Sequence, residues 1–271
     1  MTMLLIAGAT GNVGRELTVA LQRRGARTRL LSRRVADLDD PSTLPAAFAG
    51  ADKLFLLTPG IGLSQTENAV AAARAANVRH IVHLSSSNVL GDPMPAMGRW
   101  HHLREEVVRD SGIPATILRP GGFMSNALDW LPTIRDGGYV LDPIGPGRYA
   151  PIDPADIAEV AAVALTEDGH EGRQYVLTGG QAHTVAEQVR ILGAAIGRDL
   201  AVRPAASLQE AVRSRFPDGA PAALADALVE GFALMRADTT GFRTGTVRRL
   251  LGREPGTFAA WCARNARRFQ S

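Results

Sequence analysis

The sequence predicts an α/β protein with a Rossmann-type, doubly wound parallel sheet and a small, mainly helical C-terminal lobe. The chain opens with a short apolar run, and three glycines, Gly8, Gly11 and Gly14, follow at the spacing G-x-x-G-x-x-G. Short apolar runs then alternate with segments of helical periodicity, which is typical of a parallel sheet with crossover helices. No linker divides the 271 residues, so we predict one structural unit.

The composition favours a globular protein that acts on small molecules. Of the residues, 45% are hydrophobic and 21% are charged. The net charge of +3 comes without a long block of like charge, so neither nucleic acid nor a membrane is an expected partner. The single cysteine, Cys262, excludes an internal disulfide. We see no signal-peptide pattern or membrane span, so a cytoplasmic location is expected. No metal site is predicted.

The first strand, Met3 to Ile6, leads through the glycines into an amphipathic helix with Val13 and Leu17 on its apolar face. Strand, glycine turn and helix are the parts of a dinucleotide-binding unit. Glycine lets the backbone approach a pyrophosphate, and the free N–H groups of the helix N-terminus then bind it. An ordinary strand-to-helix turn is the alternative.

The second strand, residues 28–31, ends at Ser32, Arg33 and Arg34. Ser32 follows Gly14 by 18 residues, where NAD-binding folds usually place an acidic residue for the ribose 2′-hydroxyl. A hydroxyl followed by two guanidinium groups instead favours a 2′-phosphate, hence NADP(H) over NAD(H). The alternative is that both arginines are only solvated.

The segment between the second and third strands is predicted to lie beside the adenine. Asp37 and Leu38 would lie near the adenine edge, while Asp39 and Asp40 are interpreted as turn residues. Ser42 is expected to cap a short helix that runs to Phe48. Further strands are predicted over 51–58, 79–84, 115–118 and 174–178, with helices over 64–76, 100–111 and from 153 to about 165.

The helix over 100–111 is expected to bury Trp100, Leu103 and Val107. Histidines at 101 and 102 stand four residues before glutamates. Residues 137–151 are interpreted as loop-rich, and residues 184–269 as mostly helical with a proline-rich break at 203–206. We assign the NADP-binding core to about 1–128 and 151–178, and a smaller substrate lobe to about 129–150 and 179–271.

Taken together, these segments resemble the NmrA-like, atypical branch of the short-chain dehydrogenase/reductase superfamily, and within it the single-domain NAD(P)H:quinone oxidoreductases. The resemblance implies an NADP-binding Rossmann core and leaves a homodimer open. One departure is the very short link between Arg34 and Asp37, where family members usually carry a helix and most of a strand. The matching segments are GATGNVG at 8–14, DLDDPSTL at 37–44, the serines at 85–87, SGIPATILRPGGFMSN at 111–126, DPADIAEVAAVAL at 153–165 and LGREPGTFAAW at 251–261.

The resemblance also implies which residues bind the cofactor. The glycine turn matches the phosphate loop, and Arg33 matches the 2′-phosphate position. Thr58 and Pro59 fall where the ribose is lined, and the superfamily's serine beside the nicotinamide falls at Ser85 and Ser86. The remaining residues implied are Thr10, Asn12 and Val13 in the phosphate loop, with Pro120, Gly121 and Phe123 facing the nicotinamide.

The Tyr-x-x-x-Lys pair of standard superfamily members is missing. In the register of that motif, Met97 occupies the tyrosine position and His101 the lysine position, and Lys53 is the only lysine. His101 is therefore a candidate for binding the ribose or relaying a proton, with Ser85 as the second catalytic candidate. The alternative for His101 is a surface histidine paired with Glu105.

Hydride transfer to a quinone or another conjugated carbonyl suits such a site, since the product oxygen takes its proton from water. A secondary-metabolite intermediate is one such substrate. One alternative is an NADP(H)-binding redox sensor without turnover, which the missing Tyr-x-x-x-Lys pair supports. Another is an isomerase or epimerase, against which the missing pair argues. A flat substrate would meet an apolar wall, for which the candidates are Phe123, Met124, Trp130, Tyr139 and Tyr149.

Overall fold

A computed structural model describes residues 2–270 of the chain. Six strands form one sheet in the order β2-β1-β3-β4-β5-β7, and every neighbouring pair is parallel. This order confirms the predicted doubly wound fold, because the chain builds outward from β1 first to one side and then to the other. The strands are β1 (Met3–Ala7), β2 (Arg27–Leu31), β3 (Lys53–Leu56), β4 (His80–Leu84), β5 (Ala115–Pro120) and β7 (Gln174–Leu177).

Helices cover both faces of this sheet, so that the central strands are buried on both sides. One face packs against α1 (Asn12–Arg23), α6 (Pro154–Thr166) and α10 (Thr246–Leu251). The other face packs against α2 (Leu44–Phe48), α3 (Ser64–Ala75) and α4 (Ala96–Asp110). Among the described residues, no helix combines the length and the apolar character that a membrane crossing requires.

The lobe has an apolar core of its own, built from a 3-10 helix at Met124–Trp130 and from helices over residues 131–137, 185–196, 222–236 and 258–265. The lobe also contains two strands that the sequence analysis missed. β6 (Tyr139–Asp142) lies in the segment interpreted as loop-rich, and β8 (Ala201–Pro204) lies in the proline-rich break. The helices are α5 (Leu131–Gly137), α7 (Val185–Ile196), α8 (Leu208–Arg215), α9 (Ala222–Arg236) and α11 (Phe258–Asn265).

These two strands pair in parallel with each other, from Tyr139 with Ala201 to Asp142 with Pro204. Each is four residues long and pairs across about sixty residues of chain, so neither has a local signal that distinguishes it from a loop. The boundary of the lobe also differs from a simple division at residue 179. Helix α10 packs against α6 and β7, so the chain returns to the Rossmann core before it ends in the lobe.

Helix α4 (Ala96–Asp110) buries a different face from the one predicted. Val108 and two charged residues, Arg104 and Glu105, are buried, whereas Leu103 is 44% exposed. The prediction from the apolar stripe was wrong because the helix face that meets the sheet carries charged side chains, which form hydrogen bonds and ion pairs there. Those partners belong to the candidate active site.

Candidate active site

The turn between β1 and α1 has the geometry that a pyrophosphate site needs. Gly8 has a φ of +84°, which favours glycine. A Cβ atom at Gly14 would lie 2.1 Å from the carbonyl oxygen of Gly8, so only glycine lets α1 pack this closely on the turn. Helix α1 begins at Asn12 with no side-chain cap, and Thr10, Gly11 and Asn12 are exposed. The first N–H groups of α1 are therefore available to phosphate oxygens.

Two predicted residues of this loop have different roles from those implied. The side chain of Val13 is 1% exposed and packs in the core, so only its backbone remains to face a phosphate. Asn12 donates a hydrogen bond from Nδ2 to Ser125 Oγ at 3.1 Å. This contact ties the start of α1 to the 3-10 helix that follows β5.

Arg33 and Arg34 are both exposed in a turn directly after β2. The backbone N–H groups of Val35 and Ala36 donate to the carbonyl oxygen of Ser32 and form this turn. Among residues 2–270, no carboxylate forms an ion pair with either arginine. Both guanidinium groups are therefore available to a 2′-phosphate at the end of β2.

The segment beside the expected adenine position corrects two predictions. Leu38 packs into the core with α2, and its carbonyl oxygen accepts from Asn68 Nδ2 at 2.8 Å, so its side chain does not face an adenine. Asp37 accepts from the backbone N–H of Asp39 in a local turn. Ser42 does not cap the helix that runs to Phe48, because α2 begins after Thr43 without a side-chain cap. Asp40 caps the preceding 3-10 helix, Pro41–Thr43, where its Oδ1 accepts from the Ser42 N–H.

The loop after β3 is held by contacts that the sequence analysis did not anticipate. Thr58 is buried, and its hydroxyl pairs with the Thr66 hydroxyl at 3.0 Å. Pro59 is exposed at the edge of the sheet. The guanidinium of Arg104 donates to the carbonyl oxygens of Gly60 and Gly62. Helix α4 therefore fixes the position of this loop.

A cavity of about 760 Å³ lies at the carboxyl ends of β4 and β5, beneath α8 and α9 of the lobe. Its wall is mostly apolar, as is typical of a site for a small organic molecule. Three of the five predicted wall residues line it. So do residues of the two loops, after β4 and after β5, that were predicted to face the nicotinamide. The lining includes Ser86, Met97, Gly121, Phe123, Trp130 and Tyr149.

The other two predicted wall residues, Met124 and Tyr139, do not line this cavity. Met124 is 3% exposed and belongs to the lobe core. Tyr139 lies in β6, where the guanidinium of Arg203 stacks over its ring at 3.9 Å from the centroid. Both corrections have one cause, because the structure of the lobe turns these side chains to its own interior and its own small sheet.

No tyrosine stands at the superfamily position, and Tyr149, which lines the cavity, directs its hydroxyl to another residue. Met97, in the tyrosine register, lines the cavity with a thioether that has no proton to give. The Tyr149 hydroxyl donates to Gln188 Oε1 at 3.1 Å, and burial raises its pKa. Tyr149 therefore presents its ring to the cavity, where it lies against Gly122.

His101 is not the surface histidine that its spacing from Glu105 suggested. It is half-buried, and burial together with the nearby Arg104 lowers its pKa to about 4. The imidazole is therefore neutral at pH 7 and does not act as the positively charged group that a lysine would provide. Its Nδ1 atom is buried and has no hydrogen-bond partner among the described residues, and His101 is not among the residues that line the cavity.

Ser85 belongs to a buried ionic cluster rather than to the cavity wall. Its Oγ donates to Glu105 Oε1 at 2.5 Å, and Ser85 is 4% exposed. Arg119 donates to both oxygens of Glu105, at 2.9 and 2.6 Å, and Arg109 donates at 2.5 Å. The cluster joins the ends of β4 and β5 to α4. It therefore positions Ser86 and the Pro120–Gly121 turn, which follow directly in the chain.

Arg104, Glu105 and Arg119 are parts of this site that the sequence did not predict. One signal was present, since Glu105 and Arg109 are four residues apart on a helix. Another was Arg119 at the end of an apolar strand, where a charge requires a buried partner. Neither signal indicates that Glu105 and Arg119 are each other's partners, because they lie on different elements of the fold.

Comparisons with known proteins agree with this geometry. A family model described as NAD(P)H-binding matches residues 34–168. The NAD(P)H azoreductase of Xenophilus azovorans is 36% identical, over 98% of this chain and 99% of its own. The chain belongs to the NmrA-like, atypical branch of the short-chain dehydrogenase/reductase superfamily.

Two further matches cover nearly the whole length of this NmrA-like chain. The (4-alkanoyl-5-oxo-2,5-dihydrofuran-3-yl)methyl phosphate reductase of Streptomyces griseus is 36% identical over 98% of this chain and 99% of its own. The NADPH complex of an NADPH-dependent quinone oxidoreductase from Escherichia coli superposes with a TM-score of 0.80 at 27% identity, covering 97% and 99% of the two chains. The NmrA-like protein is an NAD(P)H-dependent oxidoreductase that acts on a small molecule, and the predicted nicotinamide cofactor is confirmed.

Proposed function

We propose that the protein uses NADPH to reduce a small quinone-like or conjugated carbonyl compound. The observation that carries this proposal is the apolar cavity at the nicotinamide edge of the sheet, with Met97 in place of the proton-donating tyrosine. An acceptor that needs no strong acid beside it suits such a cavity. A quinone or an unsaturated lactone meets this requirement because its conjugated system stabilises the negative charge left by hydride addition.

The chain's own residues bind and orient in this proposal. The turn from Gly8 to Gly14 and the start of α1 bind the pyrophosphate, and Arg33 binds the 2′-phosphate. The cofactor, when bound, supplies the hydride. Phe123, Trp130 and Tyr149 hold a flat acceptor against the cofactor and keep water from its face, which lowers the entropic part of the barrier.

The cavity also bears on the alternative of a redox sensor. A sensor without turnover would be expected to have its substrate space filled by side chains. Here about 760 Å³ remains beside the nicotinamide edge, enough for an aromatic acceptor. The relatives reported above are named for the reduction of azo compounds, quinones and an unsaturated furanone, all of them conjugated acceptors.

NADPH oxidation, followed by absorbance with a panel of quinones, azo compounds and conjugated ketones, tests the proposal. We expect turnover of at least one acceptor, with NADPH preferred over NADH. Saturable NADPH binding without turnover of any acceptor would favour the sensor instead.

Arg33→Ala is expected to weaken NADPH binding roughly 10- to 100-fold, the effect of losing one hydrogen bond to a charged group. NADH binding should barely change because NADH has no 2′-phosphate. Arg27→Ala at the opposite end of β2 is the matched control, since Arg27 is also exposed. Isothermal titration calorimetry with NADPH and with NADH measures the two dissociation constants. Equal affinities of Arg33→Ala and the unmodified protein for NADPH would show that Arg33 is only solvated.

A further inference from the structure

The wall of the cavity is mostly apolar, and the described residues that line it include one positively charged side chain. Among the described residues that line it, the charged ones are Asp92, Asp129 and Arg215. Asp92 is exposed in the loop after β4, where water screens its charge. Asp129 and Arg215 come from the 3-10 helix after β5 and from α8, and they meet as an ion pair with 2.9 Å between Oδ2 and Nε.

This ion pair leaves most of the binding capacity of Arg215 unused. A guanidinium has five N–H donors, arranged as a planar fork. Among residues 2–270, Arg215 has this ion pair and a contact with the Phe216 ring, and no hydrogen-bond acceptor for its terminal nitrogens. Its side chain is 31% exposed, so the fork is partly removed from water. Burial raises the pKa of Asp129, against the smaller effect of Arg215, and the Asp129 side chain is 37% exposed.

We propose that Arg215 binds an anionic group of the substrate, so that the preferred acceptors carry a carboxylate, sulfonate or phosphate beside their conjugated ring. This inference rests on the proposed function and specifies its substrate class. The planar fork matches two oxygens of such a group, and an acceptor anchored by it lies with its ring among Phe123 and Trp130. Asp129 keeps the guanidinium in place when no substrate is bound and shares it when one is.

Binding of a matched pair of non-reducible ligands tests this role without any turnover. Naphthalene-2-sulfonate is anionic, and naphthalene-2-sulfonamide is its neutral counterpart of nearly the same shape. With NADP⁺-saturated protein, we expect the sulfonate to bind more tightly. In Arg215→Met the ratio of the two affinities should fall roughly 10- to 100-fold. Arg213→Met on the same helix is the control, because Arg213 is exposed and does not line the cavity.

Asp129→Asn separates anion binding from a merely structural ion pair. This variant breaks the pair but retains Arg215, so the sulfonate should bind at least as tightly as it does to the unmodified protein. If the pair only attaches α8 to the rest of the fold, both variants would weaken both ligands equally. That result, or a sulfonate that binds unmodified protein no more tightly than the sulfonamide, would overturn the proposal.

A turnover comparison extends the test to reducible acceptors. The ratio of kcat/KM for 1,2-naphthoquinone-4-sulfonate to that for 1,2-naphthoquinone should fall by a similar factor in Arg215→Met. Because the ratio is compared between two proteins, the different intrinsic reactivities of the quinones cancel. Failure of the proposed function would appear as no turnover of either quinone, whereas failure of this inference leaves turnover intact and the ratio unchanged.

Discussion

Glu105→Gln is expected to lower the free energy of unfolding by about 3–5 kcal/mol, the cost of removing one partner from a buried ion pair. The Glu105 side chain is fully buried and accepts hydrogen bonds from Ser85, Arg109 and Arg119. Glutamine fills the same space without the charge, so Arg119, 13% exposed, remains buried without a counter-ion. Urea denaturation measures the loss.

Glu106→Gln is the matched control on the same helix. Glu106 is half exposed, and its one ion pair among the described residues is with His102, at 3.4 Å, so this substitution should change the free energy of unfolding by no more than about 0.5 kcal/mol. Similar stabilities for the two variants would show that the buried cluster contributes no more than a surface charge.

The cluster also predicts how stability changes in acid. Burial by itself raises the pKa of Glu105, but hydrogen bonds from Arg119, Ser85 and Arg109 outweigh it and lower the pKa from 4.5 to about 2. A lowered pKa in the folded state stabilises the protein above the ordinary value of 4.5, and this contribution is lost as the pH falls towards 2. Glu105→Gln should therefore lose stability less steeply than the unmodified protein between pH 4.5 and 2.

Gly14→Ala is expected to disrupt the dinucleotide site. The new Cβ would lie 2.1 Å from the Gly8 carbonyl oxygen and 2.7 Å from the Ala9 Cα, both backbone atoms that no side-chain rotation can move aside. Helix α1 must then shift away from the turn, at a cost of about 1–3 kcal/mol in stability. Because the N–H groups of α1 move with it, we also expect the Kd for NADPH to rise at least tenfold, measured by isothermal titration.

Gly11→Ala provides a stability control three residues earlier in the same turn. Its Cβ would come no closer than 3.4 Å to the Gly8 carbonyl oxygen, and Gly11 has a φ of −75°, which alanine adopts readily. Its free energy of unfolding should therefore change much less than that of Gly14→Ala. Near-normal stability and NADPH affinity in Gly14→Ala would contradict the close packing of α1 on this turn.

Local patterns in the sequence were sufficient to predict the Rossmann core. The strand, glycine turn and amphipathic helix at the start of the chain involve neighbouring residues only, and they recur in the structure with α1 at Asn12–Arg23. The alternation of apolar runs and helical segments likewise predicted the six-stranded parallel sheet. The resemblance to the NmrA-like branch added the positions of the nicotinamide loops, and Ser86, Gly121 and Phe123 do line the cavity.

The partners of charged and polar side chains were decided only by the tertiary structure. Helical spacing alone connected Glu105 with His101 and gave no reason to choose Arg119, which lies on the neighbouring strand. Pairing of Thr58 with Thr66, of β6 with β8 and of Asp129 with Arg215 likewise joins residues that the chain separates. A buried polar group must find a partner, but any of many polar residues can provide it, and only the packed fold determines which one lies within reach.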